Sequence, residues 1–462
     1  MNDFDLLVIG AGPAGYVGAI RAAQLGAKVC LIERAEVGGV CLNKGCIPTK
    51  TLTNFAELLE KAKTFQKLGI RVEGNVTPDL SVAMQRKREI ILSLVKGVRA
   101  RLAGHGVTLV GGEASFADQR MVEVRQDGPT QRLSARKILV ATGSEASELQ
   151  NLPFDGSAII SSSEALELEE VPPSILVVGA GAIGCEFAFI FSALGSAVTL
   201  VEIMDRVLPL EDLDVSAVIG RELKKRRITL ITSDSVMSCS RGRSGVKCTL
   251  KSGKDIEVTK VLVSVGRCLN TSELNLDKAG VRCGEKNEIL VNQTMETTAS
   301  GIYAAGDVIG RKMYAHSASR EAIVAVSNAM GQKKTMDYSA VPSCVFMRPQ
   351  VASVGMTEKE ATEQGSQIKV GVFNLRALGK AQVLDEISGM VKIVADARTD
   401  VVLGVHIVGA HACEIIHEGV LAVANKLTAT ALGETIHAHP TLSEAVMEAA
   451  EAVHGFSIHS AG

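Results

Sequence analysis

Cys41 and Cys46 enclose the four residues Leu42-Asn43-Lys44-Gly45. A thiolate is a nucleophile, and two thiols held together can be cycled through a disulfide. The i, i+5 spacing suits an ordinary helix poorly, because it separates the residues by about 7.5 Å of rise and about 140° of rotation. A disulfide needs Cα atoms roughly 4.4–6.8 Å apart. A bond here therefore demands a distorted turn, and strained disulfides are the more readily reduced ones. Spacing alone leaves two readings open, a redox pair or two unrelated thiols. The position of the pair, just after a dinucleotide-type motif, favours the redox pair. Lys44 places a cation between the thiols, where it either lowers a thiol pKa or points to solvent; the solvent reading is preferred.

The motif in question is Gly10-Ala11-Gly12-Pro13-Ala14-Gly15, which fits GxGxxG. The apolar run Leu6-Leu7-Val8-Ile9 precedes it, a helical stretch from Tyr16 to about Leu25 follows, and a second strand, Lys28 to Ile32, ends at Glu33. The first glycine permits the tight turn and the second lets backbone approach a pyrophosphate. The third lets helix and strand pack closely, and a later acid accepts hydrogen bonds from a ribose. Glu33 lies 23 residues after Gly10. The same arrangement recurs: Ile175 to Val178, then Gly179-Ala180-Gly181-Ala182-Ile183-Gly184, a helix, the strand Ala197 to Val201, and Glu202 at the same 23-residue offset. One such motif is a weak signal. Two with matching strand, helix, strand and acid predict two dinucleotide sites. A carboxylate at Glu202 suits a free ribose 2′-hydroxyl and repels a 2′-phosphate, which favours NAD over NADP.

Composition bounds the remaining possibilities. The 462 residues allow about three domains. Lys plus Arg is 49 and Asp plus Glu is 51, a net charge of -2, which argues against a nucleic-acid partner. The basic run Lys224-Lys225-Arg226-Arg227 reads as a solvated helix face. The longest apolar stretch, Ile175 to Val201, is interrupted by Glu186 and rich in glycine, so it reads as strand, helix and strand and not as a membrane span. No signal peptide is visible at the start, and ten cysteines in a chain this long do not form a disulfide scaffold. Most are expected to be buried thiols in a reducing, cytoplasmic compartment. No metal site is expected.

The segment Gly38-Gly39-Val40-Cys41-Leu42-Asn43-Lys44-Gly45-Cys46-Ile47-Pro48-Thr49-Lys50 resembles the redox-active disulfide segment of the flavin disulfide reductases, and within them the dihydrolipoamide dehydrogenases. His437-Ala438-His439-Pro440-Thr441-Leu442-Ser443-Glu444-Ala445 resembles their catalytic segment. Ile302-Tyr303-Ala304-Ala305-Gly306-Asp307-Val308 resembles their second flavin motif. The resemblance covers essentially the whole chain, with the motifs in the family's order. It implies that the first glycine motif, Glu33 and Asp307 hold FAD, with Lys50 beside the isoalloxazine and Ala114, Gly143 and Ala315 lining the site. The second motif, Glu202, Val236 and Gly266 then hold NAD, and Glu186 lies near the nicotinamide, with Lys50 as its possible partner. Cys41 becomes the interchange thiol and Cys46 the thiol next to the flavin. His439 becomes the base, oriented by Glu444, with His437 in support. The family supplies this histidine from the other subunit, so the resemblance implies a homodimer. Its implied partner is a lipoyl-bearing protein of a 2-oxo acid dehydrogenase or glycine cleavage complex.

The expected fold class is α/β: two Rossmann-like dinucleotide-binding domains plus a C-terminal α+β dimerisation domain. Residues 1–145 form the FAD region, with a helical hairpin from about Leu52 to Leu102, and 146–270 the NAD region. Residues 271–340 complete the FAD site, and 341–462 form the dimerisation domain. Two departures from the family pattern are Thr49 and the run Met347-Arg348-Pro349-Gln350-Val351, which leaves the substrate channel less defined than the chemistry. Rival readings are weaker. Glutathione-like disulfide reductases want cations after the second acid. Mercury reductases carry a C-terminal cysteine pair, where this chain ends His459-Ser460-Ala461-Gly462. Soluble transhydrogenases lack the paired cysteines. A purely structural flavoprotein has no need of Cys41, Cys46, His439 and Glu444 together.

Overall fold

The buried apolar runs that precede each glycine motif form the centres of two parallel sheets. The structure is a computed structural model that describes residues 3–126, 128–241 and 245–460. The chain's last two residues, part of the ending considered above, lie outside the described residues. The chain divides into two units. One comprises 1–51, 81–147 and 266–337, and the other 52–80, 148–265 and 338–462.

In the first unit, Phe4–Ile9 pairs in parallel with Val29–Glu33 on one side and Gln131–Val140 on the other. Thr108–Gly111 extends the sheet beyond Val29–Glu33, and Ile302–Ala304 adds to Gln131–Val140. Leu6, Leu7 and Val8 are wholly buried, which is why this strand reads as a continuous apolar run and not as an alternation. The first-motif helix runs from Pro13 to Gln24, beginning earlier than the sequence suggests because Pro13 sits in its first turn, where a missing N–H costs nothing. A long helix, Leu80–Gly104, also belongs here except for its first residue.

The second unit repeats the plan. Ser174–Val178 lies between Ala197–Val201 and Lys260–Val263, all parallel, with Thr229–Ile231 and Ile159–Ile160 at the edges. A separate antiparallel meander, Val236–Arg241, Val246–Leu250 and Asp255–Val258, packs into the same apolar cluster as Leu176, Val178 and Val201. The last part of the unit is a five-stranded antiparallel sheet, ordered Ser343–Val345, Gln350–Gly355, Val402–Gly409, Met390–Asp396, Ile368–Asn374. The helices Ala412–Asn425 and Glu444–Ala452 contribute Ile416, Ala445, Val446 and Ala449 to its core. No helix among the described residues is long and apolar enough to cross a membrane, and Ile175 to Val201 is strand, helix and strand.

Two charged residues join parts of this unit. Lys392, 1% exposed, donates to Asp212 at 2.9 Å and Asp214 at 2.7 Å and pairs with Glu358 at 2.7 Å. Asp212 also caps the helix Leu213–Lys225 through the Asp214 amide. Burial would depress the Lys392 ammonium, but the three carboxylates win and hold it above its ordinary range. Lys392→Met leaves the buried Asp212 carboxylate uncompensated, so chemical denaturation should show a loss of about 3–5 kcal/mol. Arg226 corrects the solvated-face reading of the basic run. Lys224, Lys225 and Arg227 are exposed, but the Arg226 guanidinium pairs with Glu60, donates to the Arg348 carbonyl at 2.7 Å and stacks over Phe189. The cysteines depart from expectation as well. Of those described outside a disulfide, Cys30, Cys185 and Cys413 are buried, while Cys268 and Cys283 are exposed.

Candidate active site

Gly10 turns the chain at φ 96°, and a Cβ on Gly15 would stand 1.7 Å from the Gly10 carbonyl oxygen. At Gly12 the situation is opposite: the nearest atom to a built Cβ is Gly39 Cα, at 3.9 Å. The helix behind it has no side-chain cap, and an uncapped helix N-terminus suits a phosphate. The Glu33 carboxylate is fixed from both sides, accepting from the Ala11 amide at 2.6 Å and the Ala35 amide at 2.8 Å. These features fit an FAD pyrophosphate and ribose. Gly15→Ala overpacks the turn by about 1–3 kcal/mol, and the flavin-to-protein absorbance ratio of the purified variant should fall well below that of the parent.

The second motif copies this geometry. Gly179 has φ 99°, a Cβ on Gly184 would lie 1.9 Å from the Gly179 oxygen, and none would meet anything at Gly181. Glu202, buried, accepts from Ala180 at 2.6 Å and Met204 at 2.9 Å. Val236 opens the first strand of the meander, two residues after Asp234, whose amide bonds the Glu202 carbonyl at 3.1 Å. Glu186 is 4% exposed on the motif helix and accepts the Phe346 amide at 2.8 Å. Gly266, at φ 138°, begins the last segment of the first unit, where its carbonyl accepts the Ser147 amide at 3.1 Å.

The other expected flavin residues all lie in the first unit. Ala114 is on the short strand Glu113–Phe116, and Gly143, at φ 70°, follows Gln131–Val140. Ala315 is the first residue of the helix Ala315–Ala329, which also lacks a side-chain cap. Asp307 accepts the Ser144 hydroxyl and lies 3.5 Å from Arg267, whose guanidinium also donates to Ser144 at 2.6 Å and 2.7 Å.

The cysteine pair shows how an i, i+5 spacing can close. Cys41 lies in the short helix Gly39–Lys44, and Cys46 opens the next, Cys46–Ala62. Gly45, between them, breaks the helix at φ −146° and ψ −107°. The Thr49 hydroxyl donates to the Gly45 carbonyl at 2.6 Å, and Asn43 donates to the Val37 and Gly39 carbonyls at 3.2 Å and 2.9 Å. The break is thus held by side chains, Thr49 among them. The hydrogen bond with Cys46, then burial, raise the Cys41 thiol far above the ordinary range, against the pull of nearby Lys50. The neighbourhood also contains Asp307. Lys44 is exposed, as the solvent reading expects.

His439 and Glu444 meet around Pro440. His439 Nδ1 and Glu444 Oε1 are 2.8 Å apart, and Glu444 Oε2 accepts the Thr441 amide at 2.8 Å. Burial would raise the Glu444 carboxyl, but the Thr441 amide and His439 outweigh it and hold it below the ordinary range. The imidazole is 77% exposed in the chain taken alone. His437 is tied down, Nδ1 at 2.7 Å from the Thr435 carbonyl and Nε2 at 3.0 Å from Glu418.

Three supporting residues escape sequence reasoning. Burial raises the Tyr16 phenol, with the charges of Cys41 and Cys46 adding to it, so it shares their electrostatic neighbourhood. Its place directly after the third glycine was the available signal. Glu321, wholly buried, accepts the Gly306 amide at 2.7 Å and so fixes the turn before Asp307. Arg267 anchors Asp307 from a segment distant in sequence. Neither Glu321 nor Arg267 has a local signature.

The chain resembles known proteins over nearly its whole length. Residues 4–322 match the family described as pyridine nucleotide-disulphide oxidoreductase, and residues 341–450 match its dimerisation domain. The chain is 43% identical to the dihydrolipoyl dehydrogenase of Thermus scotoductus, covering 99% of both. It is 38% identical to that of Bacillus subtilis, again over 99% of each. Among solved structures, LpdA of Mycobacterium tuberculosis is similar at TM-score 0.91 and 29% identity, covering 97% of this chain and 99% of that one. The HOCl-induced flavoprotein disulfide reductase RclA of Escherichia coli is similar at TM-score 0.87 and 28% identity, covering 97% of this chain and 99% of that one. With both glycine cradles, the paired cysteines and the His–Glu couple in place, the chain belongs to the pyridine nucleotide-disulphide oxidoreductases, as an FAD-containing, NAD-dependent enzyme with a C-terminal dimerisation domain.

Proposed function

We propose that the enzyme oxidises dihydrolipoamide, carried on a lipoyl-bearing protein of a 2-oxo acid dehydrogenase or glycine cleavage complex, and delivers the electron pair to NAD. The observation that carries this reading is the Gly45 break, which sets Cys41 and Cys46 in hydrogen-bond contact with Lys50 and Asp307 in their electrostatic neighbourhood. FAD, held by the first glycine cradle, Glu33 and Asp307, supplies the two-electron relay between the cysteine pair and NAD.

The residues divide the work as follows. In the oxidised enzyme Cys41 and Cys46 are joined. A substrate thiolate attacks Cys41, the Cys41–Cys46 bond breaks, and Cys46 leaves as a thiolate near Lys50. The second substrate thiol then attacks the substrate sulfur of the mixed disulfide, releasing lipoamide and the Cys41 thiolate. His439 takes the protons that these attacks require, with Glu444 fixing the ring and stabilising its charged form. The exposure of His439 supports its working in a site completed by a partner subunit. Gly179, Gly181, Gly184, Glu202, Val236 and Gly266 hold NAD, and Glu186 stands near the nicotinamide. Lys50, Ala114, Gly143 and Ala315 line the flavin site. The division 1–145, 146–270, 271–340 and 341–462 is retained as the functional one, and the cytoplasm as its compartment.

Steady-state turnover with dihydrolipoamide, run with NAD and in parallel with NADP, tests the substrate assignment. The expected result is fast reduction of NAD and at least about tenfold slower reduction of NADP, because Glu202 opposes a 2′-phosphate. A flavoprotein that oxidised NADH or NADPH only with a different disulfide or a metal ion would leave the fold intact and remove the assignment.

A further inference from the structure

A second cysteine pair lies outside the catalytic machinery. Cys239 and Cys248 face each other across antiparallel strands, with Cα atoms 4.2 Å apart, and are joined by a disulfide. A separation this short belongs to the non-hydrogen-bonded position of an antiparallel ladder, where side chains come closest. An irregularity in register between Val236 and Ser238 brings them opposite. Met237 and Ser238 are consecutive exposed residues, so the alternation is re-phased and both Val236 and Cys239 join the same apolar cluster. On the facing strand Val246, Cys248 and Leu250 point inward in ordinary alternation.

We propose that Cys239–Cys248 is a second redox site, a structural disulfide that staples the meander beneath the NAD motif and exchanges with low-molecular-weight thiols and disulfides but not with the flavin. Three observations support it. Cys248 is wholly buried in the cluster that contains Val178 and Val201, the residues just before Gly179 and Glu202. Cys239 lies half-buried on an edge strand of the three-stranded sheet, which makes its sulfur the one open to attack. The pair belongs to the unit containing 148–265, whereas Cys41 and Cys46 belong to the other.

The exchange balances without the enzyme's own cofactors. A small thiolate attacks Cys239 Sγ, the Cys239–Cys248 bond breaks, and Cys248 leaves as a thiolate and is protonated. A second small thiolate attacks the small-molecule sulfur of the mixed disulfide. Cys239 is released as a thiolate and protonated, and the two small thiols end as one disulfide. The protein disulfide gains two electrons that the two thiols lose, and the reverse sequence closes the staple.

The inference rests on the reading of Cys41–Cys46 as the flavin-linked pair, and the test separates the two. The purified holoenzyme is equilibrated with oxidised glutathione, the excess is removed, and one portion is treated anaerobically with NADH. Both portions are then alkylated in denaturant and mapped as peptides without reduction. The expected map shows 239 cross-linked to 248 in both portions, with Cys41 and Cys46 becoming alkylatable only after NADH. Alkylation of both Cys239 and Cys248 in the oxidised portion, or release of that pair by NADH as readily as the catalytic one, overturns the proposal. Failure of NADH to release Cys41 and Cys46 strikes instead at the catalytic reading. Thermal melts give an independent readout of the staple. Reduced glutathione should lower Tm by a few degrees in the parent enzyme, and this difference should vanish in the Cys239→Ser, Cys248→Ser double variant. An unchanged Tm in the parent also counts against the proposal.

Discussion

Cys46→Ser is expected to lower dihydrolipoamide-dependent NAD reduction on the order of 10⁴-fold or more, while the protein remains yellow. The reason is one of bond inventory. Substrate oxidation needs a protein disulfide to accept two electrons, and a serine at 46 leaves Cys41 without a partner to form one. The residues proposed to hold the flavin, Gly10, Gly12, Gly15 and Glu33 with the Asp307–Ser144–Arg267 cluster, are untouched. Cys41→Ser should fail equally in turnover. A mixed disulfide with substrate should be trapped by Cys46→Ser and not by Cys41→Ser, since only the former retains the interchange thiol. Intact-mass measurement after mixing each variant with oxidised lipoamide checks the difference. Full turnover by Cys46→Ser would falsify the assignment of the pair.

The second large effect is expected at the His–Glu couple. His439→Gln should lower turnover by about 10²–10⁴-fold, the range for loss of a positioned base. Glu444→Gln should cost less, about 10²-fold, since it leaves the base in place but removes the charge that stabilises its protonated form. The pH dependence follows from the Glu444 carboxylate. Glu444 ionises below its ordinary value of 4.5, so at neutral pH it is already charged and its own titration does not shape the profile there. Glu444→Gln should therefore lower the rate by about the same factor across the neutral range. The depressed carboxyl also bears on folding. The stability it contributes is present above pH 4.5 and is lost as pH falls through its lower folded value.

These roles were legible to different degrees in the sequence. The two glycine cradles could be read because their demands are local: Gly15 and Gly184 would collide with the backbone five residues earlier if they carried a Cβ. The strands before them were legible because sheets covered on both faces are apolar without alternation. The Cys41–Cys46 geometry was legible only as a requirement for a distorted turn. That Gly45 supplies the turn and Thr49 and Asn43 hold it depends on backbone carbonyls whose positions no pattern of residue types reveals. Glu321 and Arg267 were invisible, because each acts on a motif from a distant segment. Arg226 was misread because charge runs are usually solvated, and only the fold shows Glu60, Phe189 and the Arg348 carbonyl converging on that one guanidinium. The Cys239–Cys248 pairing likewise follows from a register irregularity, a property of two strands together.

The central claim is that electrons enter through Cys41 and Cys46. Its most direct test is a single anaerobic turnover: oxidised holoenzyme mixed with one equivalent of dihydrolipoamide, without NAD, then quenched in acid at intervals, alkylated and mapped. The account predicts that Cys41 becomes alkylatable as lipoamide forms, in a one-to-one ratio. Lipoamide formation with complete reduction of the flavin, while Cys41 and Cys46 stay bonded to each other throughout, would contradict it.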